Sequence, residues 1–272
     1  MLMVICTACA LLALAQQHVP SAPQLALFSV DALYRQGTAL FQSGKYAEAA
    51  ELFEQASRAA PSDARVWKAL GASRAAMGDY QRADEPFQQA CKLDPALEDA
   101  CYFYGRNLYA LNRFEPALEV LRNILPRDRA PWRVYLGIAQ ASEALGRAKQ
   151  AESAFQQAQR LYELLPANER GRPDFDPRLH YAVFLFRQGR LNDALPMAQV
   201  VTTAWPGFGR GHFEVGRILH HQGQLAPAAE ELEKAVKGGA GPPAHLLLGR
   251  VYLRLGRAAE GEHHLKLGAE AR

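Results

Sequence analysis

Apolar side chains recur along most of this chain in one repeating frame. At positions −4, −1, 0 and +3 around a small residue they make a single stripe on a helix, as with Trp67, Leu70 and Gly71, or Tyr135, Ile138 and Ala139. The small residue returns every 34 residues, at Gly37, Gly71, Gly105 and Ala139. A second apolar segment follows each time: Ala49, Ala83, Ala117 and Ala151 fall in one column, Phe53, Phe87, Leu121 and Phe155 in the next, and Ala56, Ala90, Ile124 and Ala158 in a third. After nine extra residues the frame resumes at Ala182 and Gly216, then at Gly249 one residue early, with Ala194, Ala228 and Gly261 in the second column, giving seven units.

Each unit predicts two helices joined by a tight turn. Gly44, Gly78, Asn112, Gly146, Gly189, Gly223 and Gly256 stand seven residues after the small column, and Gly and Asn tolerate the left-handed conformation that ends a helix. Pro61, Pro95 and Pro206 close second helices, since proline lacks the donor needed to continue one. A lone helix pair cannot bury such a face, so the units must stack into one continuous core.

The pattern resembles the tetratricopeptide repeat, W-x2-L-G-x2-Y, then A-x3-F, then P at a 34-residue period. Residues 64–97 match it most closely, through Trp67, Leu70, Gly71, Tyr80, Ala83, Phe87, Ala90 and Pro95, with Arg74 where an aromatic is usual. The resemblance implies an all-α, right-handed superhelical solenoid with the first helix of each pair lining the concave side. Repeats 1–4 would occupy residues 30–165 and repeats 5–7 residues 175–272. The segment 166–174 (PANERGRPD) reads as an inserted loop, a long turn capping an extended fourth-unit helix or alternatively a hinge. The Lys–Asn clamp with which some family members hold chaperone tails is absent, because Lys68 is followed one turn later by Ala72.

Ahead of the repeats, residues 1–15 (MLMVICTACALLALA) are apolar, too short to span a bilayer, and end in the small-x-small form Ala13-Leu14-Ala15. They read as a secretory signal peptide followed by a leader over 16–29, and the protein as exported, periplasmic or secreted. Cys6 and Cys9 spell C-x-x-C but lie in this leader, where nothing lowers a thiol pKa. Cys91 and Cys101 flank the Asp94-Pro95 turn on successive helices and are expected to form a disulfide, with two buried thiols as the alternative.

Composition narrows the function. The 272 residues carry 31 Lys plus Arg against 28 Asp plus Glu, a net +3, so no chain-wide field nominates nucleic acid or an anionic membrane. The groove-facing positions, −6, −3, +1, +4 and +5 from the small column, concentrate cations instead: Arg65, Lys68, Arg106, Arg133, Arg187, Arg210, Arg217, Arg250 and Arg254, against Asp31, Asp99, Glu143 and Asp176. Tyr34, Phe41, Tyr102, Tyr109, Phe186 and Phe213 interleave with them, as do Leu136, Leu179, Leu246 and Leu253. Arg106 and Arg217 each follow an aromatic, Tyr102 and Phe213, by one helical turn. Arginine with aromatics is the composition of binding hot spots.

Six histidines crowd the last two units, yet none pairs with another at i, i+4, so no metal site is read. Nucleophile elbows, phosphate loops and dinucleotide fingerprints are missing too. The expectation is a non-catalytic scaffold, without cofactor, that binds an extended acidic and apolar segment of a partner protein, in cell-envelope assembly or secretion. The alternative is an accessory subunit holding an anionic polymer or glycan for an enzyme. Homo-oligomerisation is left open.

Overall fold

The structure, a computed structural model, describes residues 22–97 and 99–270, with side chains from Val30 on. The leader assigned to residues 1–15 lies outside them. Fourteen α-helices and no strand occur among the described residues: α1 (Ala22–Gln42), α2 (Tyr46–Ala59), α3 (Ala64–Ala76), α4 (Tyr80–Leu93), α5 (Ala100–Ala110), α6 (Phe114–Ile124), α7 (Pro131–Ala144), α8 (Ala148–Glu163), α9 (Pro177–Arg187), α10 (Leu191–Ala204), α11 (Gly209–His221), α12 (Leu225–Lys237), α13 (Pro242–Arg254) and α14 (Ala258–Glu270). Consecutive helices pack in pairs, and second helices also pack on the first helix of the next pair, as α2 does on α3, α6 on α7, α8 on α9, α10 on α11 and α12 on α13. α1 begins ahead of residue 30, where the repeat frame opens.

The turn inside each pair has one construction. The residue seven after the small column has positive φ in all seven repeats, from +57° at Asn112 to +80° at Gly44. This lets the next N–H reach back to a carbonyl of the helix just ended, as Lys45 does to Leu40 O (2.9 Å) and Arg257 to Tyr252 O (2.9 Å). The helix ends are therefore satisfied within the backbone, and the second helix starts antiparallel to the first.

What brings the two helices together is the missing side chain in the small column. A Cβ at Gly71 would sit 2.7 Å from Phe87, at Gly37 2.8 Å from Phe53, at Gly105 2.9 Å from Leu121, and at Gly216 2.7 Å from Leu232. The large residue sixteen positions later thus lies directly on the backbone of the first helix. Ala139 and Ala182 hold the equivalent place in repeats 4 and 5 and are fully buried.

Two compact units emerge, one ending at Phe103 and the other beginning at Tyr104. In the first, Cys91 near the end of α4 and Cys101 at the start of α5 form a disulfide with Cα atoms 4.6 Å apart. In the second, α8 and α9 are separated by a loop holding two short 3-10 turns, Ala167–Glu169 and Pro173–Phe175. Arg170 ties this loop down by donating to Leu165 O (3.0 Å) and Glu163 O (2.8 Å), carbonyls at the end of α8. At its far end Asp176, fully buried, caps α9 and binds Arg178 (2.6 Å). No helix among the described residues is long and apolar enough to cross a membrane.

Two outcomes follow from this packing. Gly71→Val should overpack the α3/α4 crossing and cost about 1–3 kcal/mol in urea denaturation, while Gly171→Val, with nothing within 4 Å, should leave the midpoint unchanged. Replacing Cys91 and Cys101 by Ala should lower stability by about 3 kcal/mol through lost loop constraint, and peptide mapping without reductant should recover the two cysteines linked.

Candidate partner-binding groove

Within the second unit the first helices touch in sequence, α7 with α9, α9 with α11, and α11 with α13. Their +4 and +5 residues meet across successive repeats. Arg187 donates to Glu143 at 2.9 Å, the His221 ring meets Phe186 edge-on at 4.9 Å, and Arg254 donates to His220 Nε2 at 3.1 Å. The +4 side chain of one repeat contacts the +5 side chain of the next at three consecutive junctions. Arg217 adds a further bridge, its guanidinium 4.1 Å from the centre of the Phe186 ring and 5.9 Å from that of Phe213.

A polar relay runs along the same surface. Arg106 donates to Gln140, the Gln140 amide contacts His180 Nδ1 at 3.2 Å, and His180 Nε2 contacts the carbonyl of Asp174 at 2.9 Å. A carbonyl only accepts, so His180 carries its proton on Nε2 and takes the Gln140 amide hydrogen on Nδ1. The chain of bonds joins repeats 3, 4 and 5 to the inserted loop. Burial pushes the His180 pKa down to about 4, helped by Arg210 and Arg106 and opposed by the bond to Asp174. The ring is therefore neutral at physiological pH.

Charge on this surface is largely matched internally. Arg187 pairs with Glu143, Arg133 with Asp128 (3.2 Å), Arg210 with Asp174 (3.9 Å) and Arg217 with Glu214 (2.5 Å). In the first unit Arg65 pairs with Asp63 (2.7 Å) and Asp31 (3.6 Å). Glu214 is nearly buried, and desolvation raises its pKa even though Arg217, Arg210 and Arg187 all pull the other way. Its contact with Arg217 lacks hydrogen-bonding alignment. Arg250 and Arg254 are exposed and meet no carboxylate within 4 Å among the described residues.

The counts made from sequence change accordingly. Asp176 is no groove acid, because it is spent on Arg178 beneath the surface, whereas Asp63, Asp128, Asp174 and Glu214, outside the columns, share the neutralising with Glu143 and Asp31. Leu136 and Leu179 are buried at 5% and 0% exposure and belong to the core. Arg106 lies over Tyr109 (5.3 Å). Tyr34 packs on Phe53 (5.6 Å) under Arg65 of the next repeat (5.5 Å), and Phe41 packs on Tyr46 (5.2 Å). Tyr102 packs on Phe103 (5.8 Å), and Lys68 is half-buried and engaged. Gln140, His180, Asp174 and Glu214 were passed over because none is a cation or aromatic in a groove column. The one usable signal was the polar run Thr38, Arg106, Gln140, Arg217 and Arg250 at +1.

Among the described residues no three His, Cys, Asp or Glu side chains converge to hold a metal ion. Helical hairpins stacked in series, with one row of helices joined side chain to side chain, define an α-solenoid repeat protein. The chain belongs to the tetratricopeptide repeat family: a tetratricopeptide repeat model matches residues 34–98, 105–166 and 182–245, and two further models of that description match 74–133 and 242–265. A tetratricopeptide repeat protein from Parabacteroides merdae has a similar structure, with TM-score 0.69 and 16% identity over 90% of this chain and 93% of that one. MamA from Desulfovibrio magneticus RS-1 gives 0.55 and 21%, over 65% and 94%. YrrB, described as a TPR protein with an unusual peptide-binding site, gives 0.50 and 21%, over 76% and 99%. No curated protein matches the sequence significantly. The family is in general a non-catalytic scaffold, and its fold suggests protein–protein interaction in general.

His180 carries a test of the relay. Its folded pKa of about 4 lies below the unfolded value of 6.5, so the unfolded chain binds the proton first, and stability present above pH 6.5 is lost as pH falls toward 4. Urea midpoints should show wild type losing about 3 kcal/mol more over that interval than His180→Gln, which cannot titrate.

Proposed function

We propose that the row made by Arg106 and helices α7, α9, α11 and α13 binds an extended partner segment bearing acidic and apolar side chains, and that the protein is an exported, non-catalytic scaffold in cell-envelope assembly or secretion. The observation that carries this reading is the uneven neutralisation of the row. Arg133, Arg187, Arg210 and Arg217 each have a carboxylate of their own, whereas Arg106, which donates to the neutral Gln140, and Arg250 and Arg254 have none among the described residues. A partner carboxylate at α13 supplies what the chain itself does not, and Leu253, 42% exposed between the two arginines, offers an apolar contact beside it. Arginine is suited to this task because its planar fork matches a carboxylate with two bonds. The peptide-binding site in the description of YrrB supports the same class of ligand.

Export is supported by two independent features. One is the apolar leader with its small-x-small end; the other is the Cys91–Cys101 disulfide, a bond that persists in oxidising compartments.

A peptide array probed beside a glycan array should yield ligands on the former, enriched in Asp or Glu next to Leu or Phe. For such a peptide the double variant Arg250→Ala, Arg254→Ala should bind at least ten-fold more weakly, as expected for anchors worth about 1–3 kcal/mol. Added salt should weaken wild type more than the variant. The pair Glu51→Ala, Arg58→Ala on α2 should bind like wild type. Glycan hits alone, or equal affinity of wild type and the α13 variant, would overturn the proposal.

A further inference from the structure

The last two repeats place titratable pairs at the same point of the frame. Position −4 of the first helix faces position +15 of the second: in repeat 6 these are His212 and Glu231, and in repeat 7 His245 and His264. His212 Nδ1 lies 2.6 Å from the Glu231 carboxylate and Nε2 lies 2.9 Å from the carbonyl of Pro206, so both ring nitrogens face acceptors. Lys234 shares the carboxylate at 2.7 Å. Burial would raise the Glu231 pKa, but the bonds from His212 and Lys234 outweigh it and the net shift is downward. This pair grows no less favourable when the imidazole is charged.

Repeat 7 has no such acid. His245 Nδ1 and His264 Nδ1 stand 2.9 Å apart, with ring centres 5.1 Å apart and planes inclined by 27°. The two nitrogens point at each other, and a single hydrogen lies between them. One added proton can be held at an outer nitrogen with the bond intact. A second forces N–H against N–H at a distance where only N–H against a lone pair is stable.

The charged and titratable neighbours do not relieve that conflict. From α12, Glu233 accepts the Tyr252 hydroxyl at 2.6 Å. On α13, Tyr252 packs against His264 at 5.6 Å, and Arg257 of the following turn lies 4.0 Å from the Tyr252 ring centre. On α14, Glu260 is paired with Arg257, and His263 adds a third imidazole 5.6 Å from His264. Burial, His245 and His263 depress the His264 pKa.

We propose that the His245–His264 pair is a proton-operated latch: at neutral pH it ties α13 to α14, and on acidification the second proton parts them and loosens the helix that carries Arg250 and Arg254. Unfolded imidazoles titrate near pH 6.5. The depressed folded pKa means that the stability of this repeat is complete above that pH and falls as pH drops below it. Release of a partner in acid rests on the groove reading; the latch itself is tested without any partner.

Hydrogen exchange of the full chain at pH 7.0 and 5.5, corrected for intrinsic rates, reads it directly. Wild type should lose about five-fold or more protection in residues 242–270 and less in 225–237, the helix that carries Glu231. His264→Glu transplants the repeat 6 pair into repeat 7 and should retain protection at pH 5.5. Equal losses in the two repeats, or the same acid loss in His264→Glu, would overturn the latch. Should that variant fail to fold, imidazole NMR of wild type decides: the pair must titrate in two steps at least one pH unit apart, and two independent steps near 6.5 would refute it.

Discussion

Five of the seven repeats depend on one close approach: a large second-helix side chain set against first-helix backbone where a Cβ is missing. At Gly71 a methyl group would come within 2.7 Å of Phe87, and at Gly249 within 2.8 Å of Leu265. The large side chain loses nearly all its solvent contact there; Phe53, Leu121 and Leu232 are at most 1% exposed. That burial is the main stabilising term for a helix pair too short to persist alone. The left-handed turn seven residues later follows as a geometric corollary, because it must return the chain at the distance that this contact dictates. Sequential stacking then buries what the hairpin leaves open, so cohesion is local throughout and passes from repeat to repeat.

A second constraint concerns charge. A row rich in arginine would repel itself if each were left alone, and desolvating guanidinium groups against Phe186 or Phe213 adds cost. The chain resolves this with carboxylates drawn from outside the row: Asp128 and Asp174 from loops, Glu214 from the flank of α11. The inserted loop matters in this respect, since Asp174 serves two neighbours at once, its carbonyl holding His180 and its carboxylate facing Arg210. Where the neutralisation is missing, at Arg106 and along α13, the surface is electrostatically unfinished.

Period and sterics made the fold legible in the sequence. The Gly column, the Phe and Leu column opposite it and the Gly or Asn turn are each a local requirement written in residue size, and the helices fall where they demand. The binding row was legible only as a list of positions. Which arginine is spent and which is available depends on residues with no periodic address, such as Glu214 and Asp128. Leu136 and Leu179 read as groove contacts because the register was right but the local depth of packing was not visible. The His245–His264 contact leaves no i, i+4 signature, because its members lie 19 residues apart on different helices.

The rungs between the first helices, Glu143 to Arg187, Phe186 to His221 and His220 to Arg254, have a bearing on how such an array can change over generations. Repeats 5 and 6 each contribute one half of two different rungs, so removing or copying either one rewrites a junction. Excising repeat 5 would set Glu143 beside His221, and excising repeat 6 would set Phe186 beside Arg254, pairs that still match. Duplicating repeat 6 would oppose His220 to a second His221, which does not. The array is spelled like a row of dominoes, and its lineage can shed one of these units more readily than it can copy repeat 6.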